Sequence, residues 1–197
     1  MEANIDLHVD RDLAYIQAMD EVIKDYLLDE ELYVQLFSRK HQLPLGTLGG
    51  TLLRLHRLSA LPDQLDGEQQ TALEAAAGHI EEEMAYWAVQ TIDKMQREIK
   101  TRLRNWREFL LELGRDPRRY ASEYPTQAEG RTILDLLAAY IGNDAPPEME
   151  LDLRAADTTL RDSTQPSDFI WAGEMQSAFP QDQFWWLYVS PREIGRG

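Results

Sequence analysis

A stripe of apolar residues at helical spacing, covering residues 73–113, constrains the fold of this chain more than any other feature. Its members recur about every 3.6 residues, so they stay on one side of a nearly straight helix. Asp66 followed by Gln69 is a capping box that begins such a helix, and Gly114 followed by Pro117 is typical of its end. The stripe consists of Leu73, Ala77, Ile80, Met84, Ala88, Ile92, Met95, Ile99, Leu103, Trp106, Leu110 and Leu113.

The predicted helix is long for a chain of 197 residues. About 48 residues at 1.5 Å each would extend roughly 70 Å, which exceeds the length of one small bundle. Either the helix kinks, with Gly78 as one candidate, or its exposed part packs on a second subunit. The length therefore favours a homodimer.

Helical periodicity also dominates the rest of the chain. Apolar repeats predict helices over about 9–28 and 46–60, and a capping box from Thr126 to Glu129 opens another that ends at Gly142. Residues 147–161 fit a helix better than a strand.

These patterns predict an all-α protein in two parts. Residues 1–145 form a helical bundle organised on the long central helix, about 66–114. Residues 146–197 form a C-terminal helix and coil arm, rich in aromatic residues and with a possible short strand, that packs on the bundle or on a partner.

The densest aromatic run, FWWLYV, occupies 184–189 in this arm. Each buried aromatic side chain removes about 150–250 Å² from water, so a permanently exposed cluster would invite aggregation. The favoured interpretation is that the arm packs on its own bundle. The alternative is that it docks on a partner, through Phe184, Trp185, Trp186 and Tyr188.

Basic residues cluster in the second half of the long helix. Residues 93–119 hold nine Lys or Arg against five acids, in a chain with a formal net charge of −15. At 100° per residue, four of them fall beside the apolar stripe: Arg97, Lys100, Arg104 and Arg107. They form either a solvated face or a binding surface for an acidic partner, such as residues 81–83 of another copy.

Composition excludes or disfavours several classes of function. The strong negative charge disfavours nucleic acid and anionic lipid, and no window approaches the ~18 apolar residues that span a bilayer. The chain has no cysteine, so disulfides and thiolate metal sites are excluded. No signal peptide is apparent, which makes a cytoplasmic location the expectation.

Carboxylates beside the apolar stripes suggest one further site. Asp20, Glu74 and Glu81, with His56, could bind a metal between helices. Helical di-metal sites use Glu-x-x-His, which this chain lacks, so the alternatives are a rim position for Asp20 and a solvated acidic face around residues 79–83.

The sequence contains no nucleophile elbow and no phosphate-binding loop, and we expect no cofactor. Our leading hypothesis is a non-catalytic protein–protein interaction or scaffold protein that self-associates. A metal- or small-ligand-binding helical bundle is the first alternative. An acidic nucleic-acid mimic is the second, although the basic cluster interrupts the continuous acidic face that it needs.

Overall fold

The structure, a computed structural model, describes residues 5–192, which form seven α-helices and two short strands. This content confirms the all-α class with a short C-terminal strand. The helices are α1 Val9–Leu28, α2 Leu48–Ser59, α3 Gly67–Tyr86, α4 Ala88–Arg115, α5 Pro117–Tyr120, α6 Tyr124–Ile141 and α7 Met149–Ser163. The strands are β1 Thr164–Pro166 and β2 Val189–Pro191.

The described chain divides into two compact units. The N-terminal unit contains residues 8–98 and 136–144. The C-terminal unit contains residues 5–7, 99–135 and 145–192.

Helix α1 supplies much of the core of the N-terminal unit. Its apolar residues repeat at helical spacing, and Ile16, Ile23 and Leu27 are almost completely buried. Met19 is also buried, and Asp20 beside it lies at the edge with its side chain 28% exposed. Helix α1 packs against α2 and α3.

Buried polar groups fix the start of α2 in this unit. Thr47 caps the helix by accepting a 3.0 Å hydrogen bond from the amide of Gly50. The amide of Gly49 donates to the buried carboxylate of Glu98 at 2.9 Å, and the amide of Thr47 donates to the Tyr15 hydroxyl at 3.0 Å. A negative group at a helix N-terminus is attracted by the positive end of the helix dipole, so Glu98 helps to anchor α2.

The prediction of one unbroken helix over 66–114 is wrong, because α3 and α4 are separate helices that meet at Trp87. The backbone of Trp87 has φ −100° and ψ 43°, outside the α-helical region. The buried Thr91 hydroxyl donates a 3.0 Å hydrogen bond to the carbonyl of Met84, an acceptor in the last turn of α3. Gly78, the candidate kink, lies inside α3. The length of this segment therefore no longer supports a second subunit.

The C-terminal arm forms part of the core of the C-terminal unit. The Trp186 indole donates to the Thr132 hydroxyl at 3.0 Å, and the Tyr124 hydroxyl donates to the Trp186 carbonyl at 2.6 Å. The Arg131 guanidinium stacks 3.8 Å from the Trp186 ring and forms two 3.0 Å hydrogen bonds to Asp157. These contacts bind the arm, including α7, to α6.

The structure tests three local predictions in this unit. The aromatic run 184–189 lies mostly in a 3₁₀ turn. Strand β2 begins at the last residue of the run, Val189, and pairs antiparallel with β1, a partner strand that was not predicted from the sequence. Helix α6 begins at Tyr124, two residues before the predicted N-cap Thr126. Residues 147–161 lie almost entirely in α7, so the helical prediction there is confirmed.

Candidate functional site

Three large apolar side chains stand out by their exposure in the N-terminal unit. Phe37 is 79% exposed, Tyr86 78% and Val89 77%. Single exposed apolar residues are common, but side chains this large and this exposed are candidates for contact with another molecule. They belong to two surfaces, one in the loop between α1 and α2 and the other at the turn between α3 and α4.

The loop between α1 and α2 is closed at its base by backbone pairing. Val34 and Gly46 form an antiparallel bridge with N–O distances of 3.1 and 2.7 Å. Within the loop, Leu36 and Leu43 are buried and tie it to the protein. Gly46 is required at the bridge, since a Cβ there would lie 2.7 Å from a methyl carbon of Val34.

Side chains from helices hold the first part of this loop through its carbonyls. The Tyr26 hydroxyl donates to the carbonyl of Leu32 at 2.8 Å, and Arg97 donates to that of Glu30 at 2.6 Å. Lys94 is buried, donates to the Glu31 carbonyl and lies 4.1 Å from the centre of the Tyr26 ring. Burial, followed by repulsion from Arg97, lowers the pKa of the Lys94 ammonium. The loop is thus built on a rigid base.

We call the far end of this loop the basic tip and define it by Phe37, Arg39, Lys40 and Leu45. Leu45 is 52% exposed, and the two cations are exposed and have no ion pair within residues 5–192. A shallow cleft of about 460 Å³ opens between the apolar residues of the tip. The basic tip therefore combines two unpaired positive charges with exposed apolar surface in a strongly acidic chain.

We call the second surface the acidic corner and define it by Glu81, Glu82, Tyr86 and Val89. Glu82 and Tyr86 are four residues apart on α3 and so share a helix face. Tyr86 is the last residue of α3, and Val89 follows the break at Trp87. Both glutamates are exposed, and neither forms an ion pair among the described residues.

Neighbouring side chains hold the acidic corner in place. The Trp87 indole donates to Glu83 at 3.1 Å and packs edge-on against Tyr86, with ring centres 5.0 Å apart. Tyr140 lies near Glu81, and burial followed by that carboxylate raises the pKa of its hydroxyl. The corner thus presents a negative, partly apolar surface.

The four basic residues that the sequence offered for partner binding are mostly engaged within their own chain. Three have acidic neighbours: Arg97–Asp93 at 3.8 Å, Lys100–Glu148 at 4.0 Å and Arg107–Asp152 at 3.1 Å. Arg104 is exposed and has no ion pair within the part of the chain described. Their role towards an acidic partner stays a prediction.

The aromatic candidates lie in the C-terminal unit. Phe184, Trp186 and Tyr188 are at most 7% exposed, so their side chains are already packed inside their own unit. Trp185 is partly exposed, and the Arg161 guanidinium stacks 3.7 Å from its ring. The arrangement corresponds to an arm that packs on its own chain.

The four metal candidates are not brought together. Within residues 5–192, no three His, Asp or Glu side chains form a group that could hold a metal ion. Glu74 and Glu81 are exposed on α3, and His56 lies on α2. Asp20 instead accepts a 2.5 Å hydrogen bond from His79. That bond, followed by the charge of Asp20, raises the pKa of the His79 imidazole.

The basic tip was not identified from the sequence, and only the glutamates of the acidic corner were, as part of residues 81–83 of another copy. For the tip, the available signal was a pair of adjacent cations, Arg39 and Lys40, flanked by Phe37 and Leu45 in a segment broken by Pro44. For the corner, Tyr86 and Val89 were assigned to an unbroken helix, so the turn that exposes them was not expected.

Comparison with known protein families, with curated proteins and with solved structures found no match. Among residues 5–192, no helix is both long and apolar enough to cross a membrane. The geometry of the two surfaces is therefore the basis for assigning a function.

Proposed function

We propose that this protein is a non-catalytic, cytoplasmic interaction or scaffold protein that self-associates, in its simplest form as a homodimer. The observation that carries the proposal is the exposure of Tyr86 and Val89, each close to four fifths, at the acidic corner. Burying them in an interface would remove apolar surface from water, and each Å² buried stabilises the complex by about 25 cal/mol.

The position of these residues adds support. They lie beside a helix break whose geometry is held by Thr91 and Trp87, so the exposed groups are presented by fixed backbone. Interfaces favour aromatic anchors on rigid elements, because little side-chain freedom is lost when they bind.

The test is the dependence of molar mass on concentration, measured by light scattering and sedimentation equilibrium from the micromolar to the millimolar range. We expect the wild-type mass to rise towards that of a dimer. The double variant Tyr86→Ser, Val89→Ser should stay closer to the mass of one chain, because it removes the exposed apolar groups. Circular dichroism should show unchanged helix content.

The matched control is Leu111→Ser, Leu151→Ser, which removes two apolar side chains that are 60% and 71% exposed in the C-terminal unit. We expect it to associate as the wild type does. A wild-type mass that remains at 22.8 kDa over the whole range would refute self-association.

A further inference from the structure

We infer that the basic tip of one copy docks on the acidic corner of a second copy. The inference rests on the proposed self-association and specifies the two surfaces that make it. The partner is thus this same chain, recognised through two opposite, partly apolar patches.

The charges of the two surfaces are complementary. The basic tip presents Arg39 and Lys40, and the acidic corner presents Glu81 and Glu82, all exposed and without ion pairs within residues 5–192. Two cations therefore face two anions of equal total charge. Complementary charges of this kind set the orientation of an interface and its choice of partner more than its affinity.

The apolar parts of the two surfaces are also matched. Phe37 and Leu45 accompany the cations at the basic tip, and Tyr86 and Val89 accompany the anions at the acidic corner. One aromatic side chain in each patch supplies buried apolar area, which charge pairs in water do not, since exposed ion pairs contribute at most about 1 kcal/mol.

The unequal use of cations in the chain supports the tip rather than the basic cluster on α4. Three of its four candidates, Arg97, Lys100 and Arg107, already have acidic neighbours in their own chain, which leaves only Arg104. Both cations of the tip have no ion pair within residues 5–192. Residues 29–31 are acidic and lie at the base of the loop, where Lys94 and Arg97 hold the carbonyls of Glu31 and Glu30, and the two exposed cations lie at its far end.

The tip and the corner are different surfaces of the same unit, so the way in which copies pair decides the kind of assembly. Two copies that exchange both contacts form a closed dimer, whereas copies that form one contact each continue into longer assemblies. Molar mass distinguishes the two arrangements.

Charge reversal tests the pairing. The tip-reversed variant is Arg39→Glu, Lys40→Glu, and the corner-reversed variant is Glu81→Lys, Glu82→Lys. When either variant is alone in solution, its tip and its corner carry charge of the same sign, so like charges meet at both contacts. We then expect association at least tenfold weaker than that of the wild type. Mixed in equal amounts, the two variants restore opposite charges at both contacts, and we expect mixed assemblies of wild-type strength.

A single chain with all four reversals should also self-associate, because its tip is negative and its corner positive. The matched controls make the same changes of net charge on exposed residues of α1: Arg11→Glu, Lys24→Glu for the tip and Glu21→Lys, Asp25→Lys for the corner. At about 0.15 M salt, where repulsion between distant charges is screened, both controls should associate as the wild type does.

The outcomes separate this inference from the proposed function. If the wild type associates but neither the mixture nor the fourfold variant does, the interface lies elsewhere and the tip–corner pairing is wrong, while self-association stands. If the wild type remains a single chain at every concentration, both are refuted. If both reversed variants associate as the wild type does, an apolar contact without charge recognition replaces the pairing.

Discussion

Asp12 shows at the scale of one residue how this chain places charge inside its core. Its carboxylate is nearly buried, 2.8 Å from the Arg57 guanidinium and 3.4 Å from that of Arg54. Arg54 also stacks 3.9 Å from the centre of the Tyr15 ring. Buried charges are tolerated when paired in this way, and removing one partner is costly. Sequence patterns did not reveal this cluster, because Asp12 and the two arginines are far apart along the chain.

His79 carries the residue-scale prediction, which concerns pH. The Asp20 hydrogen bond raises its pKa in the folded state above the ordinary value of 6.5. A raised folded pKa means that the pair stabilises the protein fully below pH 6.5 and loses this effect as the pH rises through the folded pKa. The difference in unfolding free energy between wild type and His79→Gln should therefore shrink over that interval.

Proton NMR titration of the imidazole gives the direct measurement. We expect a pKa above 6.5 in the wild type and a lower one in Asp20→Asn. An unchanged His79 titration in Asp20→Asn would show that the hydrogen bond does not control this group.

The loop between α1 and α2 gives a prediction at the scale of an element. Gly46→Ala places a Cβ 2.7 Å from Val34 and 3.0 Å from Leu36, both side-chain contacts that must yield. Overpacking of this kind costs about 1–3 kcal/mol. We expect urea unfolding to show a loss of that size, with faster amide exchange at the Val34–Gly46 bridge.

Gly78→Ala is the control, since nothing lies within 4 Å of the added Cβ in the middle of α3. It should stabilise the protein by about 0.5–1 kcal/mol, because alanine favours helix more than glycine does. If both variants stabilise the protein equally, the base of the loop is not the tight contact that the structure indicates.

At the same scale, periodicity predicted most helices but missed the break between α3 and α4. Helix α1 matches its predicted range of 9–28, since its apolar stripe has clear ends. The break at Trp87 has no glycine or proline to mark it, and it depends on a hydrogen bond from Thr91 to a carbonyl seven residues earlier. Helix propensity and periodicity do not reveal this hydrogen bond, because it forms across the turn at Trp87, which they do not predict.

The candidate site was beyond sequence reasoning for a related reason. Exposure depends on what the folded chain covers: Trp186 was offered as a partner anchor and is buried, whereas Phe37 was passed over and is 79% exposed. Similarly, Arg107 was a candidate cation until the fold placed Asp152 beside it. Composition identified the kinds of residue that bind partners, and only tertiary structure showed which of them remain available.

The net charge of the whole molecule controls how closely two copies can approach. With a formal charge of −15 on each copy, long-range repulsion opposes association. The Debye length is about 30 Å at 0.01 M salt and about 8 Å at 0.15 M, so salt in this range screens repulsion between distant charges. Charge pairs in contact at the tip and the corner lie within that length and are weakened less.

We therefore expect association to strengthen as salt rises from about 0.01 M to about 0.15 M, measured by sedimentation equilibrium at fixed pH. The fourfold reversal variant retains the same net charge, since its two pairs of changes cancel, and should respond to salt in the same way. The tip-reversed variant should gain much less over the same range, because screening relieves its repulsion without providing an attractive contact. Association that is strongest at the lowest salt would instead show that local attraction outweighs the charge of the whole chain.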